Sequence, residues 1–206
     1  MAVAHLMPLK NPNCAVPVLE GSSAQPGNLE TAGTVNTESG IDRSSEVPIR
    51  VSLLTGGFDR PYVFGIATAL VLQTICLDLI GSDEVDNPAF HATPKVKFLN
   101  LRGDQRTGAK FAAKASRVLA YYARLIRYAA IAKPKVFHIL WNNKFQVLDR
   151  TLLMLYYKLN GKKIVLTAHN VNAGKRDSND SWLNRLTLKI QYRLADHIFV
   201  HTEQMK

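Results

Sequence analysis

From Pro48 onward, short apolar runs alternate with longer stretches of helical period, and this alternation predicts the fold. Ile49–Thr55 (IRVSLLT), Leu77–Ile80, Val96–Leu101, Val136–Trp141, Ile164–Thr167 and His197–His201 read as six strands. Helices fall between them, over about Pro61–Thr74, Gly108–Ala132 and Phe145–Leu159, with a fourth capped by Ser181 and reaching Leu194. Pro61 suits a first helical turn, and Asn160-Gly161 is a good helix stop. Glu203–Lys206 reads as the first turn of a further helix. Strands that alternate with helices imply an α/β chain, with a parallel sheet covered by helices on both faces. Right-handed crossovers then bring every strand-exit loop to one rim. Residues 1–47 are rich in Gly, Ser, Pro, Thr, Asn and Glu and lack a sustained period, so they read as a disordered leader to a domain over 48–206.

The stretch Lys162–Asn172 (KKIVLTAHNVN) has the clearest layout. Ile164–Thr167 shows no polar alternation and reads as a strand buried on both faces. His169 and Asn170 then sit at its carboxyl end, the edge where open parallel sheets bind ligands. A near-neutral imidazole there suits a hydrogen bond to a sugar hydroxyl or to developing charge. Gly56-Gly57 follows the first strand, where backbone N–H groups can approach a phosphate or sugar closely. TGGFDRP is not G-x-G-x-x-G, so a nicotinamide or flavin site is poorly supported. His138 and His201 read as structural. No Ser-His-Asp or Cys-His arrangement, G-K-[ST] loop or metal cluster can be assembled from the sequence.

Charge sharpens the picture. Residues 1–48 carry a net −3 and residues 49–206 a net +13, which implies polyanionic company: phosphorylated small molecules, an anionic membrane surface or nucleic acid. Lys110, Lys114, Arg117, Arg124 and Arg127 follow helical spacing on one side of a helix with no acid in it. Phe111, Ala115, Val118, Leu119, Tyr122, Leu125, Ile126 and Ala129 fall on the other. That basic face is a candidate for anionic lipid head groups. Val63–Ile80 is long enough to raise a membrane-spanning question, but Asp78 within it would be costly in lipid, and a helix running into a strand fits better. Cys14 and Cys76, the only cysteines, build no metal spacing or disulfide framework, which suits a reducing compartment. With no signal-peptide core before the first prolines, a cytoplasmic protein is expected, and the basic helix face leaves peripheral attachment to the inner face of the membrane open.

With these residues in view, the chain from about Pro48 resembles the N-terminal, acceptor-side domain of a family 4 glycosyltransferase of the GT-B fold. The resemblance rests on the Gly-Gly turn after the first strand, on KKIVLTAHN, and on YRLADHIFVHTEQMK. It implies a Rossmann-like domain, one half of a GT-B enzyme, and a retaining, metal-independent transfer of a sugar with no cofactor. The donor would be a nucleotide-sugar and the acceptor a glycan or a lipid-linked molecule. By position, Gly56 and Gly57 would lie against the donor diphosphate or the acceptor, and His169 would be the catalytic contact to the transferred sugar. Asp59, Arg60, Tyr62, Asn142, Asn143 and Asn170 are further donor- or acceptor-binding candidates. The family's donor domain, with its Glu-x7-Glu motif, is not in these 206 residues, so a truncated or half enzyme is expected. The alternative is a non-catalytic or split-enzyme subunit that meets a separate donor-domain chain. A basic nucleic-acid-binding module ranks below both, because no recognition helix, ribonucleoprotein aromatic motif or zinc site appears.

Overall fold

The computed structural model describes residues 48–104, 111–143, 145–169, 175, 178 and 180–201. The leader 1–47, the turn expected at Glu203–Lys206, and the candidates Lys110 and Asn170 lie outside the described residues. Six strands form one parallel sheet: β1 (Arg50–Leu54), β2 (Cys76–Gly81), β3 (Val96–Asn100), β4 (Val136–Ile139), β5 (Lys163–Ala168) and β6 (His197–Val200). Their order across the sheet is β3-β2-β1-β4-β5-β6. The order therefore reverses between β1 and β4, the switch point outside whose strand ends the ligand crevice of an open parallel sheet lies.

Alternate residues of each strand feed two cores. On one face Leu54, Ile80, Phe137, Ile139, Ile164 and Leu166 pack against α3 (Phe111–Ile131) and against the helical segment after β4. On the other, Val51, Leu53, Leu77 and Leu79 pack under α1 (Arg60–Leu72) and α2 (Pro88–Ala92). Two polar side chains of the first face, Ser52 and Asp78, are satisfied together by the Tyr128 hydroxyl, at 2.7 Å each.

Two short features were not anticipated. One is α2, five residues long and capped by the Asn87 side chain, too brief to show a period. The other interrupts the helix expected over Phe145–Leu159. It starts as α4 (Gln146–Leu148), passes through a π-helical turn (Asp149–Leu153), and resumes as α5 (Met154–Leu159). Thr151 donates to the Val147 carbonyl (2.5 Å), a local bond that competes with the α ladder. The last helix, α6 (Trp182–Leu194), is capped by Ser181 as expected.

The apolar side assigned to α3 is narrower than its periodicity suggests. Tyr122, Leu125 and Ala129 are buried, while Phe111 is 86%, Leu119 69% and Ile126 44% exposed. Leu119 and Ile126, one heptad apart, lie beside the buried stripe rather than on it. Val63–Ile80 divides into α1, a turn and β2, and no described helix is long and apolar enough to cross a membrane.

Two residues of the motifs that carry the resemblance have plain structural duties. Lys162, buried just before β5, donates to the carbonyls of Ala132 (2.6 Å) and Pro134 (3.1 Å), where α3 ends. Asp196 accepts from the Ile164 backbone N–H and from Lys158, both at 2.7 Å, tying the start of β6 to β5 and α5.

Candidate functional site

The turn after β1 is built from backbone outward. Gly56 and Gly57 have φ of 66° and 81°, left-handed conformations that glycine adopts at little cost. The Thr55 hydroxyl donates to the Ile80 carbonyl (2.9 Å) and accepts from Gly57 N–H (3.1 Å), and Ser82 donates to the Gly57 carbonyl (2.8 Å). Gly56 is also a point of close approach: a Cβ there would lie 2.7 Å from Trp141 Cβ. Asp59, itself left-handed at φ 60°, then caps α1 by accepting from Tyr62 N–H, and Arg60 is exposed in the first turn.

Trp141, just past β4, links this turn to the histidine after β5. Its indole stacks on the His169 imidazole with ring centroids 3.6 Å apart and planes 3° from parallel. Tyr62, from the first turn of α1, meets His169 edge-on at 4.9 Å. His201, just past β6, lies 3.0 Å from His169 Nδ1 through its Nε2. Gly56, Tyr62 and His169, separated by over a hundred residues at the extremes, thus converge on one rim. Burial, then the neighbouring His201, push the His169 pKa down, with the Leu140 carbonyl and Asp59 opposing, so the ring is neutral near pH 7. In that form one of the two paired nitrogens donates and the other accepts.

A polar network occupies the other side of the turn. Arg102, after β3, donates through Nη1 to the Gly56 carbonyl, and its Nη1 lies 3.5 Å from Asn143 Oδ1. Tyr121 also donates to Asn143 Oδ1 (2.8 Å), and Asn143 Nδ2 donates to Asp149 Oδ1 (3.3 Å). Tyr122 completes the set by donating to the same Asp149 oxygen (2.9 Å). Asp149 is 4% exposed, and burial pushes its pKa up against these hydrogen bonds. Asn142 is taken by Gln191 of α6, which donates to its Oδ1 at 2.9 Å. Three buried polar atoms of this region have no hydrogen-bond partner among the described residues: Trp141 Nε1, His169 Nε2 and Asp149 Oδ2. Native structures rarely leave such groups unexplained, and they cluster here.

Of the expected site residues, Gly56, Gly57, Asp59, Tyr62, Asn143 and His169 border the crevice. Arg60 is exposed at the start of α1, and Asn142 faces α6. Trp141's stacking role, His201, Arg102 and Asp149 were not anticipated. The signal that flags His169, a polar residue at a strand exit, applies equally to His201 and Arg102. Asp149 lies inside a helix, where no such rule points. Of the basic residues on α3, Arg117 bonds back to the Asp104 carbonyl (2.8 Å) and Arg124 to the Leu101 carbonyl (3.2 Å), while Lys114 and Arg127 are exposed. No family model, curated protein or solved structure matches the chain.

Proposed function

We propose that this domain forms one wall of a sugar-transfer site, the acceptor-side half of a retaining glycosyltransferase. A donor-binding domain, in the same polypeptide or a separate one, would face it. The observation that carries the reading is the convergence of the Gly56-Gly57 turn, Tyr62 and the Trp141–His169 stack at the switch point between β1 and β4. A glycine turn admits a ligand close to backbone. A neutral imidazole backed by an indole at this rim suits a hydrogen bond to a sugar hydroxyl or to charge that develops as the glycosidic bond changes hands. Transfer would also need the donor's leaving diphosphate to be stabilised, a task that falls mainly to the facing domain in enzymes of this type. The acceptor would be a glycan or a lipid-linked molecule. In the second case the exposed Leu119, Ile126 and Arg127 of α3 would rest on an anionic membrane.

The test supplies a matching donor domain, fused or separate, and measures transfer from a nucleotide-sugar by product mass. His169→Ala should lower turnover at least a hundredfold while the melting temperature stays within a few degrees. Full turnover by His169→Ala, or no transfer with any donor domain and acceptor, overturns the reading.

A further inference from the structure

We infer that Arg102 is the anion-binding residue of this crevice, and that its ligand carries phosphate. The argument starts with how the side chain is placed. Arg102 N–H donates to the Gly81 carbonyl (3.2 Å), which fixes the backbone beside the end of β2. From there the side chain reaches past β2 to the Gly56 carbonyl after β1 and to Asn143 after β4. Its guanidinium carbon lies 5.5 Å from the centroid of the Tyr121 ring.

Its direct hydrogen-bond partners are uncharged, and the opposing charge of Asp149 acts on it only through space and by way of Asn143. The Gly56 carbonyl and the Asn143 amide are both neutral, and Arg102 forms no ion pair with a described residue. Two other described arginines do: Arg117 faces Asp104 at 3.9 Å, and Arg185 bonds Asp180 at 2.9 Å. A half-buried guanidinium with no direct ion pair keeps much of its charge available to an anion. Both contacts use Nη1, and the N–H groups of Nε and Nη2 make no hydrogen bond to a described residue. Together those three donors form the planar fork that grips two oxygens of a phosphate.

The surroundings hold the fork in place. Tyr121 and Asp149 fix the Asn143 amide with its oxygen toward Arg102, and Asp149 is itself anchored by Tyr122. The excess of positive charge in residues 49–206 favours an anionic ligand over the whole domain, and this guanidinium is bonded to the Gly56-Gly57 turn itself. The inference deepens the sugar-transfer reading and rests on it for what bears the phosphate: a nucleotide-sugar's diphosphate or a phosphorylated acceptor. The anion site itself rests on the geometry alone.

The test titrates the full chain at low salt while following the amide shifts of Gly56 and Gly57 and the indole N–H of Trp141. The probes are uridine diphosphate, inorganic pyrophosphate and a short-chain polyprenyl phosphate, with uridine and methyl glucoside as uncharged controls. At least one phosphate probe should bind and move the Gly56 and Gly57 signals, with an affinity that falls as salt rises. Arg102→Gln should weaken it at least tenfold, and Arg102→Lys, which keeps the charge but not the fork, by less. Tightest binding of uridine diphosphate assigns the site to a donor, and tightest binding of the polyprenyl phosphate assigns it to an acceptor. Arg102→Lys also keeps the test usable if Arg102→Gln fails to fold. No phosphate binding by the wild type, or equal binding by Arg102→Gln, overturns the inference. Sugar binding without phosphate binding would sink it and leave the sugar-transfer reading standing. Phosphate binding through Arg102 by a chain that transfers no sugar with any donor domain would do the reverse.

Discussion

Replacing Gly56 by alanine tests the geometry of the crevice directly, because the structure separates two costs that the substitution combines. The first is conformational. Gly56 sits at φ 66°, and holding a residue with a Cβ there costs about 1–2 kcal/mol. The second is steric. The new Cβ would lie 2.7 Å from Trp141 Cβ, an atom close to the backbone that cannot swing aside, and relieving such overpacking costs about 1–3 kcal/mol. Gly161→Ala provides the reference. Gly161 has nearly the same φ, 68°, and nothing within 4 Å of an added Cβ, so it bears the conformational cost alone. The gain from stiffening the unfolded chain is common to both and cancels in the difference. For a domain of this size each kcal/mol lowers the melting temperature by about 2–4 °C. Gly161→Ala should therefore melt roughly 2–8 °C below the wild type, and Gly56→Ala a further 2–12 °C below that. The assay is thermal unfolding by circular dichroism, with the near-ultraviolet signal reporting the Trp141–His169 stack. Equal melting temperatures for the two variants, with the near-ultraviolet spectrum of Gly56→Ala unchanged, would refute the close approach of β1 and β4 on which the site depends.

Three further outcomes follow from individual contacts. His138 is buried beside Thr167, and its pKa is pushed down to about 4 by burial and secondarily by His197. Its folded pKa lies below the unfolded 6.5, so stability is intact above pH 6.5 and falls between there and about 4, by roughly 3 kcal/mol in all. His138→Gln should flatten that part of a denaturant-midpoint profile, and an unchanged profile would refute the assignment. Burial alone would raise the Asp196 pKa, but the Lys158 bond and the Ile164 N–H outweigh it and hold the carboxylate low. Asp196→Ala should cost about 1–3 kcal/mol in urea unfolding, with no loss if these contacts are idle. On the membrane reading, Leu119→Ser with Ile126→Ser should weaken binding to anionic vesicles without lowering stability. A wild type that ignores such vesicles at low salt excludes the docking face.

The strands and long helices were legible because burial on a sheet imposes local patterns. Each of the six strands lies within a residue or two of its expected span. What escaped was decided across the chain. The π-helical turn places Asp149 against Asn143 and Tyr122, partners 6 and 27 residues away, and no periodicity encodes that. His201 reads as the polar end of a strand, and its pairing with His169 depends on β5 and β6 being neighbours. The exposure of Leu119 and Ile126 is of the same kind: helical period marks a broad apolar sector, and the sheet covers only part of it. The motif residues Lys162 and Asp196 gave a correct position for β5 and β6 through duties that are structural rather than chemical.

The strand order also sets how a ligand would lie. Read along the rim in the order β3-β2-β1-β4-β5-β6, the exit residues are Arg102, Ser82, Gly56 with Gly57, Trp141 with Asn143, His169 and His201. Charge is therefore concentrated at one end and neutral aromatic surface at the other, with a glycine turn between them. A ligand laid across that turn meets the guanidinium with its anionic part and the Trp141–His169 stack with its uncharged part. The opposite orientation would set phosphate against a histidine that burial keeps neutral and leave the guanidinium without a direct ion pair. The two ends answer to different parts of one molecule, so on the proposed reading they should fail differently. Loss of Arg102 weakens binding of every phosphate-bearing probe, sugar or not. Loss of His169 spares pyrophosphate binding and removes transfer. A His169→Ala variant that loses pyrophosphate binding as severely as Arg102→Gln would show that the two ends do not divide the ligand, and the polarity assigned to the crevice would be wrong.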